Sequence, residues 1–138
     1  MPKFGKLSLE RLATCDERIQ KVMNEAIKHY DFTVLYGHRS VEEQFELFRQ
    51  GRSLVGGWWK VTEPSKVVTQ LDGKTKKSNH NYNPSRAIDI APYPIDWKNI
   101  DRFLEMAKVV KEAAKTVGVE ITYGGDWKMR DYPHFEVK

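Results

Sequence analysis

The apolar run Ala87–Ala91 constrains the fold of this chain more than any other segment. Four of its five residues are apolar, and prolines at positions 92 and 94 end it, which is typical of a buried strand. The fifth residue is Asp89, and a carboxylate inside such a strand is costly to bury unless it is paired or binds a metal. The run therefore predicts a buried strand with one anchored carboxylate. Its partner could be the nearby Arg86 or a metal ion.

Helical and strand-like patterns on both sides of this run predict one α+β domain over residues 1–138, without a repeat or a linker. Capping boxes at Thr14–Glu17 and Ser40–Glu43 predict the starts of two helices. The predicted elements are a helix from Thr14 to Ile27, a strand Phe32–Tyr36, a helix from Ser40 to near Gly51, a strand Ala87–Ala91, a helix Ile100–Val117, and closing strands Val119–Tyr123 and His134–Val137.

Residues 51–79 lack a strong pattern, and a segment of this length in a compact domain is often functional. The Asp72-Gly73 pair predicts a small hairpin across Val67–Leu71 and Lys74–Lys77. Trp58 and Trp59 could form a platform for a substrate, but packing on the core is favoured because aromatic side chains mostly bury area.

Composition excludes several classes of protein. The single cysteine, Cys15, rules out a disulfide scaffold and cysteine-rich zinc modules. The sequence implies no histidine partner for Cys15, so we do not expect a cysteine nucleophile. The net charge of +4 favours anionic partners but is too small to indicate a dedicated nucleic-acid binder. The amino terminus lacks the apolar segment of a secretory signal, and no apolar run reaches the roughly 20 residues of a membrane helix. We therefore expect a cytosolic protein without stable membrane association.

The four histidines offer one candidate metal site. No two of them have the HExxH spacing, but a hydrolytic zinc site can also combine histidines and a carboxylate from separate elements. The best candidates are His80 at the end of the polar loop, Asp89, and His134 at the start of the last strand. The alternative is that Asp89 forms an ion pair and His134, which follows a proline, is structural. Asp131, three residues before His134, could act as a base beside the metal, or could belong to an exposed polar run.

Two segments carry a family resemblance. Ser78-Asn79-His80 followed by Ser85–Tyr93, and Gly125-Asp126-Trp127 followed by Asp131–Glu136, resemble the D-alanyl-D-alanine carboxypeptidase / L-alanyl-D-glutamate endopeptidase family of zinc peptidases. The resemblance extends to residues 36–40 and 42–44 and is greatest to the small phage endolysins, which cut the stem peptide of bacterial peptidoglycan. It implies a Hedgehog/DD-peptidase-like fold, in which helices pack against an antiparallel sheet.

By position, the resemblance implies that His80, Asp89 and His134 bind Zn²⁺ and that Asp131 is the catalytic base. Arg39 matches the family's arginine, which meets a substrate carboxylate or stabilises the oxyanion; a guanidinium suits both tasks. The resemblance also implies that Ser78, Gln44 and Trp127 border the substrate groove, although Gln44 could equally be a polar residue on its helix.

This sequence departs from the family pattern at one spacing. Eight residues separate His80 from Asp89, where many members have six. We expect the extra residues, around Asn83-Pro84-Ser85, to bulge outward without moving either ligand.

The resemblance implies a monomeric endolysin that cleaves the L-alanyl-D-glutamate bond of peptidoglycan and causes host-cell lysis. The enzyme would reach the cell wall from the host cytoplasm after a holin permeabilises the membrane. Asp131 favours this branch, because relatives that act on D-Ala-D-Ala tend to carry Glu there. The alternatives are a D-alanyl-D-alanine carboxypeptidase of the same fold, a relative with only a structural zinc, and a non-catalytic basic module that binds cell wall or nucleic acid.

Overall fold

The computed structural model describes residues 2–138, which form a four-stranded antiparallel sheet, helices packed against it and a separate two-stranded hairpin. This arrangement confirms the predicted α+β class. In chain order the helices and strands are α1 (Lys6–Leu12), α2 (Glu17–Ala26), β1 (Phe32–Tyr36), α3 (Val41–Arg49), β2 (Arg52–Val55), β3 (Trp58–Val61), β4 (Ala87–Pro92), α4 (Ile100–Val117), β5 (Thr122–Tyr123) and β6 (His134–Glu136). No helix within residues 2–138 has the length and apolarity needed to cross a bilayer.

The sheet has one apolar face and one polar face near its centre. Its strand order is β1-β4-β6-β5, so the predicted strand β4 lies inside the sheet, paired with β1 and β6. Ile88 pairs with Phe135, and both are fully buried in the core. Asp89 pairs with His134 in the next register position. Because side chains alternate between the faces of a strand, these two polar residues lie together on the face opposite the core.

A bulge in β1 extends the polar face. Val34 pairs with Ile90, but the next residue paired is Tyr36, which is opposite Asp89. The unpaired residue between them shifts the register, as bulges do, and brings Tyr36 beside Asp89. The chain then passes through Gly37 to Arg39, so the bulge helps to deliver this arginine to the polar face.

The apolar core lies between the sheet and helices α2 and α4. All five residues of the predicted apolar face of the first long helix are buried, namely Ile19, Val22, Met23, Ala26 and Ile27. Helix α4 differs in part from the prediction, since Ile100 and Leu104 are more than 40% exposed while Met106 and Ala113 are buried. This helix contacts both α2 and β4, so its buried stripe is turned relative to the one that apolar spacing alone indicates.

The predicted capping box at Thr14 is wrong, although the one at Ser40 is confirmed. Helix α2 begins at Glu17, and the Asp16 carboxylate accepts the hydrogen bond from the Arg18 backbone N–H at 2.8 Å. The Thr14 hydroxyl instead donates to the carbonyl of Arg11 at 2.6 Å. A helix cap must accept through its side-chain oxygen, and the Thr14 oxygen already accepts from the His38 backbone N–H at 2.8 Å. The unpredicted helix α1, which ends just before Thr14, supplies the carbonyl that takes the hydroxyl proton.

The predicted hairpin is also displaced. Strands β2 and β3 form the hairpin around Gly56-Gly57, whose φ angles of 59° and 82° suit a two-residue turn. The Gly56-Gly57 pair is the sequence feature that could have predicted this turn. Asp72 ends up in a non-strand turn, in which its Oδ1 accepts three backbone N–H groups, from Lys74, Thr75 and Lys76.

Two further expectations are only partly met. Of the two tryptophans, Trp59 packs edge-on against Phe45, with ring centroids 5.7 Å apart, whereas Trp58 is 74% exposed at the hairpin tip. The predicted strand Val119–Tyr123 shortens to Thr122–Tyr123, because only these two residues pair with β6.

Candidate active site

His80, Asp89 and His134 converge on the polar face of the sheet. Each offers one ligand atom, and the three atoms lie within 4.8 Å of one another. The Asp89 Oδ1 atom is 3.1 Å from His134 Nδ1 and 3.4 Å from His80 Nε2. Sheet register brings Asp89 and His134 together, while His80 comes from a short 3₁₀ turn, Asn79–Asn81. Two imidazole nitrogens and a carboxylate are a common donor set for zinc in hydrolytic sites.

The surroundings of His80 fit a metal ligand. Its ring is 2% exposed, and Nδ1 donates to the carbonyl of Gly37 at 2.8 Å. This hydrogen bond fixes the tautomer and leaves the lone pair on Nε2. The Nε2 atom is buried and has no hydrogen-bond partner among the described residues. An unsatisfied buried polar atom costs about 1–3 kcal/mol, a cost that metal binding would remove.

Glu136 contacts Nε2 of His134, the ring nitrogen that does not face Asp89. His134 Nε2 lies 2.7 Å from Glu136 Oε1, and Glu136 Oε2 accepts a hydrogen bond from Asn79 Nδ2 at 2.6 Å. Sequence reasoning missed both Glu136 and Asn79 as site residues. The available signal was spacing, because residues 134 and 136 of a predicted strand share one face.

Electrostatics within the cluster favour an ionised Asp89. Burial would raise the pKa of Asp89, but the hydrogen bond from His134 and the adjacent His80 imidazole outweigh it and hold that pKa well below its usual range. Burial lowers the pKa of His134, but hydrogen bonds to Asp89 and Glu136 outweigh it and raise the pKa to about 9. The carboxylate is therefore in the form that metal binding requires.

Asp131 lies beside the three candidate ligands. Its Oδ2 atom is 3.9 Å from His134 Nδ1, and its side chain is 49% exposed. The His134 backbone N–H donates to the Asp131 carbonyl at 3.2 Å, so a turn places the two side chains together. Burial and the nearby Asp89 carboxylate raise the pKa of Asp131. A carboxylate in this position can accept and return a proton.

Arg39 is buried, and its positively charged guanidinium lies next to Asp89. Its Nη1 donates to Gln44 Oε1 at 2.8 Å, and its Nη2 is 3.6 Å from Asp89 Oδ2. The guanidinium carbon lies 4.8 Å from the centre of the Tyr36 ring. The Nε atom is buried without a hydrogen-bond partner in residues 2–138. Arg39 also lines the cleft, so its guanidinium lies within reach of a bound molecule.

The three predicted groove residues all border the same cleft. Gln44 is 1% exposed and is held by donating to the carbonyl of Leu71 at 2.8 Å, so it positions Arg39 from behind. The Ser78 hydroxyl accepts from the His80 backbone N–H at 3.2 Å and thereby caps the turn that carries this histidine. The centre of the Trp127 ring lies 5.0 Å from that of His134.

The cleft has a volume of about 620 Å³. The candidate ligands and Asp131 lie in it, residues 68–71 form part of its wall, and Lys77 and Arg130 add positive charge to its lining. Together with Arg39 they balance the carboxylates of Asp89, Asp131 and Glu136 in the lining, and a cleft of this size can hold an extended ligand.

The long spacing between His80 and Asp89 does not separate them. Asn83 and Pro84 are exposed, as expected for an outward loop, but Ser85 is fully buried. Backbone hydrogen bonds tie Ser85 to both Thr14 and Asp16, which returns the chain to β4. Neither His29 nor His38 belongs to the cluster.

Comparison with known proteins agrees with this geometry. The family model described as phage L-alanyl-D-glutamate peptidase matches residues 1–138. The chain is 33% identical over 141 residues to the L-alanyl-D-glutamate peptidase of Escherichia phage T5, covering 99% of this chain and 89% of the phage protein. It is 38% identical over 122 residues to the peptidoglycan L-alanyl-D-glutamate endopeptidase CwlK of Bacillus subtilis strain 168, covering 81% and 64% respectively.

A solved structure shares the fold. The crystal structure of the Serratia marcescens L-Ala D-Glu endopeptidase ChiX superposes with a TM-score of 0.74 at 25% identity. The match covers 99% of this chain and 91% of the Serratia chain.

Proposed function

The chain belongs to the phage L-alanyl-D-glutamate peptidase family, and we propose that it hydrolyses the L-alanyl-D-glutamate bond of peptidoglycan with a zinc ion held by His80, Asp89 and His134. It is a peptidase that acts on peptidoglycan, and its role is that of a phage endolysin. The choice of zinc and the assignment of each residue's task are the parts that we propose.

One observation supports the proposal above all others. The buried, unpartnered His80 Nε2, the Asp89 carboxylate and His134 Nδ1 face one another in a cleft that also contains Asp131. When bound there, zinc supplies Lewis acidity that polarises a carbonyl group and makes water more acidic.

Asp131 and Arg39 carry the remaining chemistry. Asp131 accepts the proton of the attacking water at its carboxylate and returns it to the leaving amine, a transfer that its place beside His134 permits. The Arg39 donors bind either a carboxylate of the stem peptide or the oxyanion that develops at the scissile carbonyl. Gln44 keeps the guanidinium in place through its 2.8 Å hydrogen bond.

We also propose that the enzyme acts as a monomer, because all of these groups come from one chain. Release to the cell wall from the host cytoplasm, after a holin has opened the membrane, is part of the same proposal.

The first experiment is digestion of purified Gram-negative-type sacculi with and without a zinc chelator, with products identified by mass spectrometry. We expect chelator-sensitive release of stem peptides that begin with D-glutamate. Release of only terminal D-alanine would instead indicate a carboxypeptidase. A lack of products from the folded, zinc-supplemented protein would contradict the proposed activity.

Variants separate the metal site from the base. His134→Ala should abolish both zinc binding and digestion, because it removes a ligand. Asp131→Asn should retain zinc but lose about 10²–10⁴-fold in kcat, the usual contribution of a general acid–base group. Asp101→Asn removes the same charge on the exposed first turn of α4 and serves as the control. Normal digestion by the Asp131 variant would refute its assigned task.

A further inference from the structure

Glu136 and Asn79 form a chain of hydrogen bonds behind the candidate metal centre. Glu136 Oε1 lies 2.7 Å from His134 Nε2, and Glu136 Oε2 accepts from Asn79 Nδ2 at 2.6 Å. Both carboxylate oxygens therefore have a partner at short distance. Only 20% of the Glu136 side chain is exposed, so water competes weakly for either bond.

The backbone fixes this arrangement. Glu136 is two residues after His134 on β6, so the two side chains stand on one face of the sheet. Asn79 is adjacent to His80 in the 3₁₀ turn, and its carbonyl accepts from the Arg86 backbone N–H at 3.0 Å. The hydrogen-bonded chain thus connects β6 to the turn that supplies the other histidine.

Glu136 is not itself one of the three converging ligands. The group of side chains able to share one ion comprises His80, Asp89 and His134. Glu136 contacts the nitrogen of His134 that does not face Asp89. Its influence on a bound ion must therefore pass through the imidazole ring.

We propose that Glu136, held by Asn79, is a positioning residue that keeps the proton of His134 on Nε2 and presents Nδ1 to the metal. Asp89 accepts at Nδ1 and Glu136 accepts at Nε2 as long as both ring nitrogens carry a proton. Once Nδ1 binds an ion, only one proton remains, and the Glu136 carboxylate, which can only accept, keeps that proton on Nε2. It also restrains the ring and increases the basicity of the ligand nitrogen; loss of such a partner typically weakens metal binding 10–100-fold. The inference rests on the proposed metal site.

The test measures zinc affinity by competition with a chromophoric chelator. We expect Glu136→Ala to bind zinc 10–100-fold more weakly than the unmodified protein. Glu136→Gln can still accept from Nε2–H and should recover much of that affinity. Glu120→Gln removes a carboxylate from an exposed position between α4 and β5 and is the control for net charge.

Asn79→Ala provides an independent variant. It leaves Glu136 in place but removes its support, so a smaller loss of zinc affinity is expected. In the double variant, Asn79→Ala should reduce zinc affinity little beyond the effect of Glu136→Ala alone, because the effects of residues in one hydrogen-bonded chain are not additive.

A spectroscopic readout separates positioning from general destabilisation. In the zinc-loaded unmodified protein, the ¹⁵N NMR spectrum should show His134 protonated at Nε2 and bound through Nδ1. The Glu136→Ala variant should show increased solvent exchange of that Nε2 proton. Zinc affinity and an Nε2 signal equal to those of the unmodified protein, in a folded Glu136→Ala variant, would overturn the inference. If the unmodified protein itself binds no zinc, the proposed function fails and the inference with it.

Discussion

At the scale of single residues, the chemistry depends on which atom of each side chain is already engaged. His80 uses Nδ1 on the Gly37 carbonyl and His134 uses Nε2 on Glu136, so opposite ring nitrogens are directed to the same point. The difference follows from the element that carries each residue. A residue type and its spacing therefore indicate a ligand, but not which nitrogen binds.

Cys15 illustrates how burial suppresses reactivity. The thiol is 1% exposed, and burial raises its pKa from 9.0 to about 12. Since the thiolate is the nucleophile, we expect iodoacetamide at pH 8.5 to leave the folded protein unmodified and to label it rapidly in denaturant. Intact-mass spectrometry gives the extent of labelling.

The same pKa shift has a consequence for stability. The unfolded chain loses the thiol proton near pH 9, while the folded chain keeps it to about pH 12. The folded protein therefore loses stability as the pH rises through this window, because the unfolded state binds fewer protons. A Cys15→Ala variant should show a smaller decline in Tm between pH 9 and pH 11. Fast labelling of the folded protein would contradict the burial argument.

At the scale of elements, short turns hold the site against the sheet. The turn Gly124–Asp126 packs so closely on the segment before β6 that a Cβ added at Gly124 would lie 2.6 Å from the Asp131 carbonyl and 3.0 Å from His134 Cβ. The Asp131 carbonyl oxygen is a backbone atom, so it cannot move away without displacing the residues next to Asp131. Glycine at position 124 therefore allows Asp131, the proposed base, and His134, a candidate ligand, to occupy their positions.

We accordingly expect Gly124→Ala to reduce activity on sacculi more than it reduces stability. The substitution should shift Asp131 and His134 together, lowering both kcat and zinc affinity. Gly5→Ala is the matched control, because its added Cβ meets nothing within 4 Å. Activity on sacculi and Tm should be measured for both variants. An unchanged kcat in the Gly124→Ala variant would contradict the prediction, because it would show that the added Cβ is accommodated without moving Asp131.

The elements also show why short-range sequence patterns fail in places. Thr14 has the residue type of a helix cap, but its hydroxyl oxygen accepts from the His38 backbone N–H and its proton goes to the Arg11 carbonyl. Asp72-Gly73 resembles a hairpin turn, but the Asp72 carboxylate collects three backbone N–H groups and keeps the flanking residues out of a strand ladder. In both cases a polar side chain forms hydrogen bonds with backbone groups, and the sequence pattern does not show which backbone groups those are.

At the scale of the whole molecule, the candidate metal site joins distant parts of the chain. His80 precedes β4, Asp89 lies within it and His134 begins β6, so an ion bound by all three would link the loop to two strands. A ligand that binds only the folded state stabilises it by mass action. Stability should therefore depend on zinc.

We expect zinc at 100 times its Kd to stabilise the protein by about 2.7 kcal/mol. The increase in Tm should be measurable by calorimetry, reversible with chelator and absent in His134→Ala. Asp101→Asn should keep the full increase. An equal increase in the His134 variant would place the stabilising ion elsewhere.

The sequence by itself determined the α+β class, the interior strand Ala87–Ala91 and, through a family resemblance, some of the residues that line the cleft. These features depend on local periodicity and on motifs of fixed spacing, which a sequence carries directly. Only the tertiary structure decided that Asp89 faces His134, that the bulge in β1 brings Tyr36 beside Asp89, and that Glu136 and Asn79 stand behind the site. Those relations arise from strand register and loop packing, which depend on contacts between residues far apart in the chain.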